Sequence, residues 1–251
     1  YTQFFMRHGV RGAVLRIVAG SRGICHAIAE EGFPHVVISE RFDSADISCV
    51  DCDSRPDSLR AIEYLIALGH RRIAFATHTV PDHDQQDRFE GYKEALLNHG
   101  IAVEDRLILR HPGSLAGGAS VLKVVMSMPE RPTAVYCADW MLAVGAVKAA
   151  HELSVRVPDD LSIIGFDDAD GRHCVHPTLT AVCQDAVKLG VEASARLVKI
   201  LDGDAQAPFQ FTAPTFFEVN ESTGPPPAHV VRIVANGNGS ARSDESGAGG
   251  A

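Results

Sequence analysis

Two adjacent aspartates follow a short apolar run in the second half of the chain. Residues 157–168 read Val-Pro-Asp-Asp-Leu-Ser-Ile-Ile-Gly-Phe-Asp-Asp. Pro158 cannot extend the helical pattern before it, and the run Leu161–Ile164 predicts a buried strand. This strand would place Asp167 and Asp168 at its carboxyl end, where open α/β sheets bind ligands. Two carboxylates there favour a polar ligand with hydroxyl or cationic groups, although the pair taken alone is better explained as a cap of the next segment.

Two further side chains could contribute to the same kind of site. Arg88 opens a predicted helix at Asp87–Asn98, and its planar guanidinium can donate paired hydrogen bonds to adjacent hydroxyls or to a carboxylate. An arginine in a first helical turn opposes the helix dipole, so a ligand or carboxylate partner would explain Arg88 better than solvation does. Asp139 follows a predicted strand at Ala134–Cys137, where N-capping of the next helix is the ordinary alternative.

Other clusters of reactive side chains give weaker signals. Cys49 and Cys52 have redox-type spacing but no helix start or aromatic residue beside them, which favours coincidence on a strand end. Two polar loops contain possible metal ligands, namely His78, His83 and Asp84 in one and His173, Cys174 and His176 in the other. Neither loop has a recognised metal-ligand spacing, and the chain contains no glycine-rich phosphate loop and no Gly-x-Ser-x-Gly. We therefore predict no metal, no cofactor and no enzymatic activity.

Composition sets the class of protein. The chain has 251 residues, of which 45% are hydrophobic and 22% charged, as in soluble globular proteins. The formal net charge of −9 disfavours a large nucleic-acid contact by this chain, because phosphates are neutralised by clustered Lys and Arg. Its six irregularly spaced cysteines are typical of reduced thiols. With no signal-peptide pattern and no run long enough to span a membrane, we expect a cytoplasmic protein.

Apolar runs alternate with helical patterns along the chain, which predicts an α/β fold with parallel sheets and helices on both faces. The predicted strands are Val10–Val18, His35–Ile38, Ile73–Ala76, Leu107–Leu109, Ala134–Cys137, Leu161–Ile164 and Ala181–Cys183. The predicted helices are Ile24–Glu31, one from Ser58 to the stop at Gly69, Asp87–Asn98, Leu115–Met128, Leu142–Leu153 and Val187–Leu201. Two short β-rich stretches follow at Phe209–Phe211 and Phe216–Val219, and the composition of 225–251 predicts a disordered tail.

Four separated segments, in order and with matching spacing, resemble the effector-binding domain of the lac-repressor-type (LacI/GalR) family of bacterial transcriptional regulators. They are Leu65-Ile-Ala-Leu-Gly-His-Arg-Arg-Ile-Ala-Phe75, Arg88-Phe-Glu-Gly-Tyr-Lys-Glu-Ala-Leu96, Pro132-Thr-Ala-Val-Tyr-Cys-Ala-Asp-Trp-Met-Leu-Ala-Val-Gly145, and residues 157–168. The resemblance covers roughly residues 10–224, by a length-and-pattern comparison.

The resemblance implies two doubly wound parallel-sheet lobes, as in type I periplasmic sugar-binding proteins, with a ligand in the cleft and crossing strands as a hinge. It assigns residues 1–54 and 185–207 to the N-terminal lobe, and residues 55–184 and 208–224 to the C-terminal lobe. The family's helix-turn-helix domain, hinge helix and first βα unit are not in this chain. We therefore expect a truncated N-terminal lobe, and contact with operator DNA only through the missing domain.

The resemblance also suggests site residues. Arg88 and Asp167 match cleft residues of the family, and Asp139 takes a position where the family often has Asn. A carboxylate only accepts hydrogen bonds whereas Asn also donates, so the preferred hydroxyl pattern should differ. Trp140 could stack on a sugar ring, although a core role is equally consistent with its type. Ser39 follows a strand of the N-terminal lobe, and with Arg41 it could line the opposite wall.

The function implied is the sensing of a small-molecule effector, a sugar or related metabolite, by a cytoplasmic regulator that forms homodimers. Binding would close the lobes and shift the DNA-bound population. The alternative is a periplasmic sugar-binding protein of a transport system, which shares the fold. A hydrolase or redox enzyme on an α/β scaffold is a third hypothesis.

Overall fold

The chain builds two β-sheets and crosses from one to the other three times. The computed structural model describes residues 2–16, 21–42, 47–167, 170–204 and 208–228. Within these ranges both sheets are parallel, apart from one strand, and helices cover them, which confirms the predicted α/β class. No helix of the described part is long and apolar enough to cross a membrane.

The smaller sheet forms the N-terminal lobe and has four parallel strands. In spatial order they are β1 (Ala13–Arg16), β2 (His35–Ile38), β3 (Ser48–Asp53) and β9 (Gln210–Pro214). The helices before β3 are α1 (Thr2–Arg7), which the apolar pattern did not predict, and α2 (Arg22–Glu30). The last helix, α7 (Ala186–Leu201), packs on β2 and β3. Among the described residues β1 is an edge strand, and its Val14 is 39% exposed.

The larger sheet forms the C-terminal lobe. Its strands, in spatial order, are β10 (Phe216–Glu218), β8 (Thr180–Cys183), β7 (Ser162–Asp167), β6 (Ala134–Cys137), β4 (Ile73–His78) and β5 (Ile108–His111), and β10 alone is antiparallel. Its helices are α3 (Arg55–Ala67), α4 (His83–Asn98), α5 (Leu115–Ser127) and α6 (Trp140–Glu152). Short 3-10 helices lie at Asp105–Leu107 and Gly171–His173.

Strand β9 corrects the predicted lobe boundaries. We assigned all of residues 208–224 to the C-terminal lobe, but residues 210–214 pair in parallel with β3 of the N-terminal lobe. The chain then crosses at Thr215, and β10 pairs with β8 in the other sheet. The assignment was wrong for β9 because two short β-rich stretches only one residue apart carry no sign that they enter different sheets.

The central strands of the larger sheet are buried on both faces. In β6, Ala134 and Tyr136 pack into the apolar cluster under α3 and α4, whereas Val135 and Cys137 pack into the cluster under α5 and α6. Both sides of such a strand exclude water, so its sequence is continuously apolar rather than alternating. The carboxyl ends of β4, β6 and β7 therefore have a rigid base.

Glycines allow the helices of this lobe to pack at short range. A Cβ on Gly91 of α4 would lie 2.5 Å from the carbonyl oxygen of Arg55 and 2.9 Å from Cβ of Ser58. On the other face, a Cβ on Gly145 of α6 would lie 2.2 Å from the carbonyl oxygen of Leu115. These backbone contacts set the depth at which α4 and α6 sit, and with it the position of the side chains that they carry.

We expect Gly91→Ala to lower the free energy of unfolding by about 1–3 kcal/mol, because the new methyl group overlaps fixed backbone. Gly190→Ala is the matched control, since Gly190 lies in α7 and a methyl group added there would have no atom within 4 Å. That variant should gain about 1 kcal/mol from helix propensity. Urea unfolding of both variants measures the difference, and equal effects at the two positions would contradict the packing argument.

Candidate ligand-binding site

Arg88 is a buried anchor at the carboxyl edge of the larger sheet. It is 5% exposed, and its Nη1 donates a hydrogen bond of 2.7 Å to the carbonyl oxygen of Ala138, just after β6. Its guanidinium carbon lies 3.3 Å from the centroid of the Phe166 ring in β7. Stacking of a guanidinium on an aromatic face is favourable and fixes the plane of its donors. Arg88 thus touches the residues next to both Asp139 and Asp167.

The start of α4 differs from the sequence prediction. The helix begins at His83 rather than Asp87, because the side chain of Asp82 caps it by accepting a hydrogen bond of 2.9 Å from the amide of Gln85. Arg88 therefore lies in the second turn of α4. The prediction that Arg88 lies in the first turn and opposes the helix dipole is wrong. The contacts of its guanidinium group with Ala138 and Phe166 explain why Arg88 is buried here.

Asp84 lies one turn before Arg88 and is equally buried. Its Oδ2 is 3.7 Å from Nη2 of Arg88, while its Oδ1 has no hydrogen-bond partner among the described residues, and neither has Nε of Arg88. Burial raises the pKa of Asp84 to about 7; Arg88 opposes this, whereas Asp82 and Asp51 add to it. Among the described residues, a buried acceptor and a buried donor one helical turn apart thus lack hydrogen-bond partners. The sequence indicated Asp84 only as a possible metal ligand, although its spacing of four residues from Arg88 is the spacing of a helical ion pair.

Asp139 serves as the N-cap of α6. Its Oδ1 accepts hydrogen bonds from the amides of Met141 and Leu142, at 2.9 and 3.1 Å. Its Oδ2 lies 3.3 Å from Nε2 of His78, which ends β4. Burial alone would raise the pKa of Asp139, but His78 and the two amides hold it below the ordinary value. The capping alternative is therefore correct, and one oxygen faces the His78 side of the sheet edge.

Asp167 is tied to the turn that follows β7. It is 2% exposed; its Oδ1 accepts a hydrogen bond of 3.0 Å from the amide of Gly171, and its Oδ2 pairs with Arg172 Nη1 at 2.7 Å. Arg172 also contacts Glu218 of β10 at 3.1 Å. The half-buried Trp140 borders the same turn, since a Cβ on Gly171 would lie 3.1 Å from its ring. Asp168 lies outside the described residues.

In the N-terminal lobe, the predicted wall residues Ser39 and Arg41 follow strand β2. Ser39 directly follows β2 and adopts a φ of +60°, with its amide donating to the carbonyl oxygen of Val50. Arg41, by contrast, is already paired, since its Nε donates a hydrogen bond of 2.7 Å to Asp51. A cavity of about 190 Å³ opens between the lobes, and it is lined by Arg22 and Glu40 on one side and by Val80, Pro81, Asp82, His83 and Gln86 on the other.

Cys52 links the two lobes near this site. Its Sγ donates a hydrogen bond of 3.0 Å to Oε1 of Gln184, and burial raises its pKa to about 12, so the thiol stays neutral. Cys49 lies on the same strand but packs into a different apolar cluster, on the other face of the sheet. Two cysteines three residues apart on one extended strand are too far from each other for a disulfide. Among the described residues, no group of three or more His, Cys, Asp or Glu side chains could hold a metal ion.

The two lobes, the crossings and the polar edge define a periplasmic-binding-protein-like fold. Residues 62–223 match the family model described as the periplasmic binding protein-like domain, and the chain belongs to this family. Within it, the chain is an effector-binding domain of the LacI/GalR type.

Relatives in sequence and structure are regulators of this type. The HTH-type transcriptional regulator AscG of Escherichia coli is 33% identical over 175 residues, which are 70% of this chain and 52% of AscG. A LacI-family transcriptional regulator from Mycobacterium smegmatis is 31% identical, with a TM-score of 0.79 over 90% of this chain and 83% of that chain. One from Enterococcus faecium, with bound ribose, is 26% identical, with a TM-score of 0.80 over 90% and 84%. The chain spans about half the length of the curated relatives it matches.

We expect Asp84→Asn to stabilise the ligand-free protein at neutral pH. The folded state raises the pKa of Asp84 from 3.8 to about 7, so the contribution of Asp84 to stability is fully present below its unfolded pKa and is lost as the pH rises toward 7. Asn does not titrate, and the gain should approach about 4 kcal/mol above pH 7. Chemical unfolding across this pH range measures it.

Asp139→Ala provides the contrast, because it removes an N-cap and should lower stability by about 1 kcal/mol. If Asp84→Asn is the less stable protein at every pH, the carboxylate of Asp84 is not under electrostatic strain.

Proposed function

We propose that this domain senses a sugar or a related small metabolite in the cleft between its lobes, as part of a transcriptional regulator. The observation that carries the proposal is the pair of unpartnered polar atoms, Oδ1 of Asp84 and Nε of Arg88, on a helix that meets the other lobe. A hydroxyl group both donates and accepts hydrogen bonds, so one hydroxyl, or two adjacent ones, would satisfy both atoms. The ribose in the Enterococcus faecium relative supports a carbohydrate ligand.

The proposed roles of the other site residues follow from their contacts. Asp139 offers Oδ2 beside His78, and Ser39 offers a hydroxyl from the opposite lobe. Asp167 holds Arg172 and the following turn in place, which positions Trp140 at the border of the cleft. In this scheme Arg88 contacts the ligand directly.

Closure of the lobes is the proposed response. The chain crosses between the lobes after β3, after β8 and at Thr215, and a ligand that contacts both walls would favour the closed arrangement. The closed state would then change the affinity of a helix-turn-helix domain, outside this chain, for operator DNA. Such a regulator acts in the cytoplasm, and we propose that it works as a homodimer and performs no chemistry on its ligand. A transport role is the alternative, but the relatives named above are regulators.

Sugars that bind should raise the melting temperature of the domain, and Arg88→Ala and Asp167→Ala should reduce or abolish the rise. Loss of a charged hydrogen bond costs about 1.5–3 kcal/mol, which is at least tenfold in affinity. Arg106→Ala and Asp159→Ala are controls on exposed side chains away from the cleft, and both should keep the full shift.

A thermal-shift panel of pentoses, hexoses and nucleosides, followed by calorimetry on the hits, tests this. If no compound binds, or if both cleft variants keep wild-type affinity for a compound that does, the proposed site is wrong.

A further inference from the structure

We propose that the effector carries a protonated amine next to a hydroxyl group, as an amino sugar does, with the amine bound by Asp84 and the hydroxyl by Arg88. The inference rests on the proposed function, because it concerns the chemistry of the same cleft. It names the class of ligand within the carbohydrates that this pair of side chains selects.

The geometry of the pair requires an outside donor. The side chain of Asp84 is 5% exposed, and the 3.7 Å between its Oδ2 and Nη2 of Arg88 is too long for a hydrogen bond. Arg88 instead uses its guanidinium group for a bond to Ala138 and for stacking on Phe166. A buried carboxylate oxygen without a donor is costly, so a ligand that supplies one gains that free energy on binding.

The charges around Asp84 favour a cationic donor. Asp51 and Arg16 of the N-terminal lobe act on it, and so do Asp82, which caps α4, and Arg88 within that helix. The balance is unfavourable to the carboxylate, since burial raises the pKa of Asp84 to about 7 against the lowering effect of Arg88, and Asp82 and Asp51 raise it further. An ammonium group would supply the charge that a neutral hydroxyl does not.

Four other basic side chains near the cleft lie close to carboxylates. Arg41 pairs with Asp51 at 2.7 Å, and Arg22 pairs with Glu40 at 2.6 Å. His83 lies 3.6 Å from Asp87, and His78 lies 3.3 Å from Asp139. Among the described residues, Asp84 contacts Arg88 at 3.7 Å and is affected more weakly by Arg16, so this carboxylate would gain from a cation brought by the ligand.

The donor on Arg88 sets the second group of the ligand. Its Nε needs an acceptor, and an ammonium group cannot accept a hydrogen bond. A hydroxyl group on the neighbouring carbon can accept this hydrogen bond. A ligand with an amine and a hydroxyl on adjacent carbons would therefore place the amine at Asp84 and the hydroxyl at Arg88. A sugar acid would satisfy Arg88 but would place a second negative charge against Asp84, which is unfavourable.

The experiment compares glucosamine, galactosamine and mannosamine with their parent hexoses and their N-acetyl derivatives, by calorimetry on the wild-type protein, Asp84→Asn and the exposed control Asp159→Asn. At about pH 7.5 we expect at least one amino sugar to bind about tenfold or more tightly than both uncharged forms, as for a charged hydrogen bond. Its affinity should fall several-fold at about pH 6, because Asp84 is then mostly protonated. Asp84→Asn should abolish the preference while its melting temperature shows that it is folded, and Asp159→Asn should keep it.

The two proposals fail in different ways. If parent hexoses bind as tightly as the amino sugars, or if Asp84→Asn keeps the preference, the amine assignment is overturned while carbohydrate sensing stands. If neither the panel here nor the broader panel of sugars and nucleosides binds, carbohydrate sensing itself is overturned, and the amine assignment with it.

Discussion

The two lobes are joined where the chain passes between them three times, and the rest of the structure depends on these crossings. At one crossing the hydroxyl of Thr215 donates to the carboxylate of Asp57 at 2.7 Å and lies 3.2 Å from the carbonyl oxygen of Asp53, so it ties the third crossing to the first. Cys52 and Gln184 link the first to the second. The first crossing is therefore tied to each of the other two by side-chain hydrogen bonds, which hold the lobes together where the chain passes between them.

The closeness of the lobes also affects the charge environment of Asp84. Asp84 and Arg88 lie on α4 of one lobe, yet Asp51 in β3 of the other lobe helps to raise the pKa of Asp84. A buried carboxylate oxygen without a hydrogen-bond donor lowers stability, so a ligand that bound there, as proposed above, would offset a cost carried by the ligand-free protein. Arg88 is held differently, because its stacking on Phe166 and its bond to Ala138 fix its guanidinium group.

Much of this architecture could be predicted from the sequence, and the failures have physical causes. Alternating patterns predicted most helices and strands, because burial on both sheet faces leaves long apolar runs. The prediction that Asp139 and Asp167 lie at one sheet edge followed from strand ends, whereas the prediction for Arg88 followed from the family resemblance. The partners of Asp167 in the next turn could not be predicted, because a single sequence does not show how a loop folds back. The burial of Asp84 could not be predicted for a related reason, because it arises only when segments distant in sequence meet.

The position of β9 has a consequence for how the polypeptide acquires its structure during synthesis. Five strands of the larger sheet come from the continuous stretch 73–183, so they can assemble as soon as that stretch is available. The smaller sheet is complete only when β9 pairs with β3, and β9 lies some 160 residues after β3 in the sequence. Contacts between segments so far apart in sequence form slowly. The smaller lobe thus begins first but stays incomplete until β9 has been made, and its strands β1 to β3 are exposed to aggregation in a nascent chain for that time.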